Sequence, residues 1–221
     1  SDLRCAEPTY MSKDENCKPD LEDLFDDFAH PNPQIKEEAY LKMSRYWPEE
    51  SMPRLLANLD QTDIELRRAS VKALGVFGRR SLLPLVQIFH ASENRIVRTS
   101  CLKAFVQVAV QFPGEAFPKE AMEVVELALQ DDIPELILTV VPLLSLLGNQ
   151  GFPLLLQSCK SKNILLAAIA VTALGEVDVP AAEACLKELQ ADDLIDDLLR
   201  GSVIDALNTL EQRNAGNPST K

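Results

Sequence analysis

The side chains that could do covalent chemistry are few and scattered. The chain has five cysteines (Cys5, Cys17, Cys101, Cys159 and Cys185) and two histidines, His30 and His90. A reactive thiolate needs a cation or base beside it, and a metal site needs ligands at set spacings. Cys5 and Cys17 stand too far apart for a Cys-x-x-Cys site. An odd number of cysteines with no framework spacing points to a reducing compartment. Cys101 follows Ser100 on a small, apolar helix face and is expected to be a core thiol. The carboxylates fall in runs such as Glu22-Asp23 and Asp26-Asp27, the pattern of a solvated face. No nucleophile elbow, phosphate loop, metalloprotease motif or zinc spacing occurs. The motifs therefore favour a binding protein over an enzyme.

Candidate binding residues are of two kinds. Tyr40, Tyr46 and Trp47 gather aromatic area just ahead of Pro48, either as the wall of a ligand groove or as packing at one end of the fold. Phe112 and Phe117 lie in a loop, Gln111 to Pro118, either as anchors for a partner or folded back as a clip. Among the cations, Arg54, Arg67, Arg68 and Arg98 stand out. Arg67 and Arg98 are expected to bond to Asp60, Asp63 or a loop carbonyl of an adjacent repeat. The formal net charge is −12, which argues against nucleic acid. Such a charge either steers the chain to a basic partner or serves solubility. The basic residues are mostly single and set beside acids.

The elements that carry these residues repeat. Asp63 to Gly78, DIELRRASVKALGVFG, places Ile64, Leu66, Val71, Leu74 and Phe77 at helical spacing. Ala69, Ala73 and Gly75 lie between them, so a second helix can approach closely. Asp63 is a fair N-cap and Gly78 a fair stop. The frame returns in Asn94 to Ala109, where Val97-Arg98 and Leu102-Lys103-Ala104 match Leu66-Arg67 and Val71-Lys72-Ala73. With Leu74 as anchor, Met43 and Phe105 stand 31 residues to either side. Later anchors are Leu147, Leu174 and Leu207. Second helices are expected at Glu49–Asp60, Arg80–Ala91, Pro118–Asp131, Phe152–Lys160 and Pro180–Ala191. A short acidic helix, Leu21 to Ala29, caps the first unit. Asn32 and Pro33 open the next helix, with His30 closing the one before.

Self-similarity at this period, two helices per unit, is the signature of a solenoid. The D/N-x-x-[LV]-R-x-x-[AS]-x-x-A-L-G frame is that of a HEAT repeat. Neither the tetratricopeptide Trp-Leu-Gly-Tyr set nor the ankyrin Thr-Pro-Leu-His start is present. The expected fold is all-α, a right-handed HEAT-repeat solenoid over residues 21–213. About five helix pairs and terminal helices are expected, between polar tails at 1–20 and 214–221. The longest apolar stretch, Ile133 to Gly148, is too short and broken for a membrane span and is expected to be deeply buried.

Four phrases together, HPNPQIKEEA, YWPEESMPRLLANLD, DIELRRASVKALGVFG and ENRIVRTSCLKAFVQVAVQFP, resemble a group of HEAT-repeat proteins of cyanobacteria and plastids. The group comprises the E/F-type phycobilin lyases and a HEAT protein that assists an A-type iron–sulfur carrier. The resemblance covers Leu21 to about Asp131 well and the remainder weakly. It implies a helper in maturing photosynthetic proteins, in the cyanobacterial cytoplasm or plastid stroma, with a photosynthetic or iron–sulfur carrier protein as partner. The leading expectation is a non-catalytic scaffold with no resident cofactor. A phycobilin lyase handling an open-chain tetrapyrrole and a structural adaptor in a phycobilisome or photosystem are the alternatives. For a lyase, a concave groove would hold the bilin: Arg or Lys on its propionates, an acid on its pyrrole nitrogens, aromatics on its face. Tyr40, Trp47, Glu50 and Arg54 match that inventory. The LRCA stretch before Met11 is compatible with the remnant of a plastid transit peptide.

Overall fold

The computed structural model describes residues 18–131, 133–193 and 195–216. The expectations for Cys5, Cys17, the LRCA stretch and most of both tails lie outside these residues. The described residues form α1 (Leu21–Asp26), α2 (Pro33–Tyr46), α3 (Pro48–Ala57), α4 (Ile64–Val76), α5 (Arg79–Ala91) and α6 (Arg95–Gln111). There follow α7 (Lys119–Leu129), α8 (Pro134–Leu146), α9 (Phe152–Ser158), α10 (Ile164–Glu176), α11 (Ala182–Ala191) and α12 (Asp197–Gly216). Single 3-10 turns extend α1 and α3, and no strand occurs among the described residues. Helices stacked in two rows around one continuous core, from Leu24 to Leu210, make this a HEAT-type α-solenoid.

The inner row is α2, α4, α6, α8, α10 and α12, each stacked on the next. Capping explains why these helices start where they do. The side chains of Asn32, Asp63, Asn94, Asn163 and Asp196 each accept a backbone N–H from the first turn that follows. Ten residues after the first of each inner helix stand Met43, Leu74, Phe105, Leu144, Leu174 and Leu207, all buried. The fourth anchor is thus Leu144 rather than Leu147, which is half-buried at the end of α8. That helix is apolar around most of its girth, so its sequence does not fix its rotation.

The pairing phase also differs from expectation. Each outer helix packs on the inner helix that follows it: α3 on α4, α5 on α6, α7 on α8, α9 on α10 and α11 on α12. The turn at Phe77-Gly78, with Gly78 at φ +59°, sends α4 and α5 apart instead. With α1 on α2, the described chain is six pairs and no lone terminal helix.

Residues expected in the tails extend the fold at both ends. Asp20 caps α1, accepting from the Glu22 and Asp23 N–H groups. Helix α12 runs on to Gly216. Among the described residues, no helix is long and apolar enough to cross a membrane.

Candidate functional site

The aromatic cluster near Trp47 is a packed end, not a groove. Tyr40 is 2% exposed and meets Phe28 edge to face at 5.1 Å between centroids. Burial, with Glu37 adding to it, pushes its phenol up to about 12. The Trp47 indole N–H donates to the Pro19 carbonyl at 2.8 Å, and the Lys18 ammonium lies 3.3 Å from its ring centroid. Arg54 donates twice to Glu22, at 2.6 and 3.1 Å, and stacks over Phe25 at 3.8 Å. Its hydrogen bonding lowers the Glu22 carboxyl below its usual value. Glu50 points into solvent. The four residues thus share an end of the stack, where each has its partner or faces water.

The loop phenylalanines divide. Phe117 is 4% exposed and packs edge to face on Phe105, so it is core rather than a partner anchor. Its backbone N–H and carbonyl are both held by the Gln150 amide at 2.8 Å. Phe112 is more open and lies over Gly78, where a methyl group would come within 2.8 Å of its ring. His30 does close the 3-10 turn that extends α1, its backbone N–H donating to the Asp27 carbonyl at 3.1 Å, and its Nδ1 accepts the Asn32 N–H at 3.0 Å. Arg67 and Arg98 bond loop carbonyls, those of Gln61 at 2.6 Å and Ser92 at 2.8 Å, but in the loop that leads into their own helix rather than in an adjacent repeat. Asp60 accepts from Asn94 at 2.9 Å instead.

Phe112 also lines a cavity of about 360 Å³ with Glu115 and Asn149, and a larger space lies on the inner row. A cavity of about 500 Å³ runs across α4, α6 and α8. Its walls are Ile64, Val71, Val106, Leu138 and Pro142 with Arg67, Arg68, Lys72 and Lys103. A second lobe shares Arg67, Ser100 and Lys103 and adds Arg95, Ile96 and Glu135. Five cations therefore converge on one face of a chain whose net charge is −12. Three are engaged: Arg67 as above, Arg68 with Glu65 at 3.1 Å, and Arg95 with Glu135 at 3.7 Å. Lys72 and Lys103 form no ion pair among the described residues. The apolar side chains here are unusually open, with Leu138 at 55% exposure and Ile64 and Ile96 at about half.

This arrangement suits a flat, apolar anion. Buried apolar area would give affinity, and the cations would fix orientation. Among the described residues no thiol lines it. Cys101 and Cys159 are enclosed in the core, where burial pushes both up to about 12, and Cys185 on α11 is not in the groove wall. Among the described residues no group of three or more His, Cys, Asp or Glu is placed to hold a metal. Sequence reading missed this site, although its signal was present. Lys72 and Lys103 recur at one frame position, and recurrence in a solenoid means side-by-side placement on one face.

No protein-family model matches the chain. It is 35% identical over 186 residues to the bilin biosynthesis protein CpeZ of Synechococcus sp. (strain WH8020), covering 81% of this chain and 100% of that protein. It is 30% identical over 192 residues to phycocyanin operon protein Z of Pseudanabaena tenuis (strain PCC 7409), covering 86% and 95% respectively. The CpcE–CpcF complex of phycocyanin lyase from Nostoc sp. PCC7120 aligns over 93% of this chain and 100% of that one, at 15% identity and a TM-score of 0.31. A designed armadillo repeat protein in complex with a (KR)4 peptide aligns at 14% identity and a TM-score of 0.41, over 87% and 100%. These two structural likenesses go no further than helical repetition. The chain belongs to the family of CpeZ and phycocyanin operon protein Z.

Proposed function

We propose that this member of the CpeZ family is a bilin-handling scaffold, holding an open-chain tetrapyrrole for the maturation of a photosynthetic protein without itself doing covalent chemistry. The observation that supports this is the groove across α4, α6 and α8. A bilin is flat, apolar along its conjugated length and dianionic through two propionates. The groove offers open apolar walls, unpaired lysines and about 500 Å³, within the range of about 300–1,000 Å³ usual for small-molecule sites. The name of the Synechococcus relative, a bilin biosynthesis protein, points the same way. The partner is then a phycobiliprotein, in keeping with the names of the two relatives, a bilin biosynthesis protein and a phycocyanin operon protein. We infer that it acts in the cytoplasm, in keeping with the cyanobacterial origin of both relatives.

The lyase alternative differs in one respect: the bound bilin would be passed on at a rate set by this chain. Titration of the purified protein with a free bilin tests the shared premise. A saturable change in the bilin's visible band is expected, and its absence overturns both readings. Adding an apo-phycobiliprotein then separates them. Under the scaffold reading, attachment proceeds only when a further enzyme is supplied. Acceleration by this chain alone makes it a lyase.

A further inference from the structure

We propose that Lys72 and Lys103 form a carboxylate clamp that reads the two propionates of the bound bilin and not its pattern of conjugation. This rests on the bilin reading above and adds what that site discriminates.

Placement comes first. Lys72 and Lys103 each stand eight residues after the first of their helices, α4 and α6, which are successive members of the inner row. Packed helices lie about 8–10 Å apart, so the two lysine backbones are neighbours on one wall. Both side chains line the same cavity. Their four-carbon stems let the ammonium groups close on two carboxylates at slightly different separations. Neither lysine is paired, whereas the arginines around them are held by Gln61, Glu65 and Glu135. The lysines are therefore the free charges of the groove, and the arginines give a fixed positive background.

Beyond the Gln107 amide, the remaining walls carry little that could read the chromophore. Val71, Val106, Leu138 and Pro142 are apolar. The Ser100 and Thr139 hydroxyls donate to the Ile96 and Glu135 carbonyls of their own helices, at 2.7 Å each. No carboxylate lines the main cavity, so its walls hold no acid to accept the pyrrole N–H groups. Glu135, in the side lobe, faces Arg95. Isomeric bilins that differ only in double-bond position present the same propionates and nearly the same apolar outline. Apart from the Gln107 amide, which can meet a pyrrole or lactam group of either isomer, the groove has no free polar side chain to tell them apart, so selection among them passes to the acceptor protein.

The test is a set of absorbance titrations of the full chain with phycocyanobilin, its isomer phycoerythrobilin, biliverdin and biliverdin dimethyl ester. The two isomers are expected to bind within about threefold of each other. The dimethyl ester, its propionates neutralised, is expected to bind about tenfold or more weakly than biliverdin, the scale of one lost charged hydrogen bond. In the double variant Lys72→Gln, Lys103→Gln, the acid should fall to the affinity of the ester while the ester itself is unchanged. Both lysines are exposed, so an unaltered thermal melt should accompany that loss. An ester that binds the native chain as well as the acid overturns the clamp, and a tenfold preference between the isomers overturns its indifference to conjugation. Failure of every bilin to bind overturns the functional reading as well, a result distinct from either.

Discussion

The seams between inner helices are of two kinds, and the difference locates the groove. At the α4–α6 seam Gly75 lies against Gln107, with no room for a Cβ. At the α10–α12 seam a methyl on Gly175 would sit 2.8 Å from the Ala206 carbonyl oxygen. These two glycines occupy one frame position, eleven residues after the first of their helices. In α6 and α8 the same position holds Val106 and Ser145, and the seams that follow pack less closely. Glycine draws α4 and α6 together, which sets Lys72 beside Lys103. The α6–α8 seam packs less closely, and there Leu138 and Pro142 form the far wall. A glycine at one repeating position thus marks the two seams that close most tightly.

The sharpest way to break this contrast is to fill a glycine seam. Gly175→Val is expected to cost about 3 kcal/mol in urea denaturation, since the α12 backbone would have to move away. With one carbon added at each seam, Gly175→Ala should cost more than Val106→Ile, whose cost should stay below about 1 kcal/mol because that side chain is only half-buried. Equal costs at the two seams would remove the distinction.

A second expectation concerns how dry the core behind the seams is. Cys101 and Cys159 have thiols raised by burial from 9.0 to about 12. The unfolded chain ionises them near 9 while the folded chain keeps them neutral. Their contribution is therefore complete below pH 9 and is lost as pH rises from about 9 towards 12. The denaturation midpoint should fall across that window, and fall less in Cys101→Ala. A flat profile would mean that water reaches these thiols.

Smaller effects belong to the helix starts and to one orphan hydroxyl. Asp63→Ala removes the acceptor for two N–H groups of α4 and should cost about 1 kcal/mol, read as a lower melting temperature. The Ser145 hydroxyl is buried without a hydrogen-bond partner among the described residues. Ser145→Ala should therefore leave stability unchanged or raise it by up to about 1 kcal/mol. A clear loss would reveal a partner for that hydroxyl and a seam less open than its neighbours suggest.

Much of the fold was legible because each inner helix announces itself locally. Asn32, Asp63, Asn94 and Asn163 mark four starts, and Met43, Leu74 and Phe105 mark a regular step. Gly75 already suggested close approach. The rotation of α8 was not legible, because a stretch as apolar as LILTVVPLLSLL has no polar side to orient it. The pairing phase was not legible either, since it depends on the angle taken by a two-residue turn. For the site, an aromatic and cationic cluster close in sequence drew attention to Tyr40, Trp47 and Arg54. Those groups are mutually satisfied at the end of the stack. The groove is a property of the array: each of its helices supplies three to five unremarkable side chains, and only their stacking order brings them together.

Trp47 has an optical consequence. It is the only tryptophan in the chain, and it reports from the first helix pair, clamped under Lys18 and tied to Pro19, outside the groove wall. Its emission is thus a gauge of whether that end of the stack is intact, separate from occupancy at α4 to α8. If the terminal pair frays before the rest, fluorescence will change at a lower temperature than circular dichroism. A ligand that absorbs in the near ultraviolet, seated in the groove, would quench it by energy transfer, with no contact between the two.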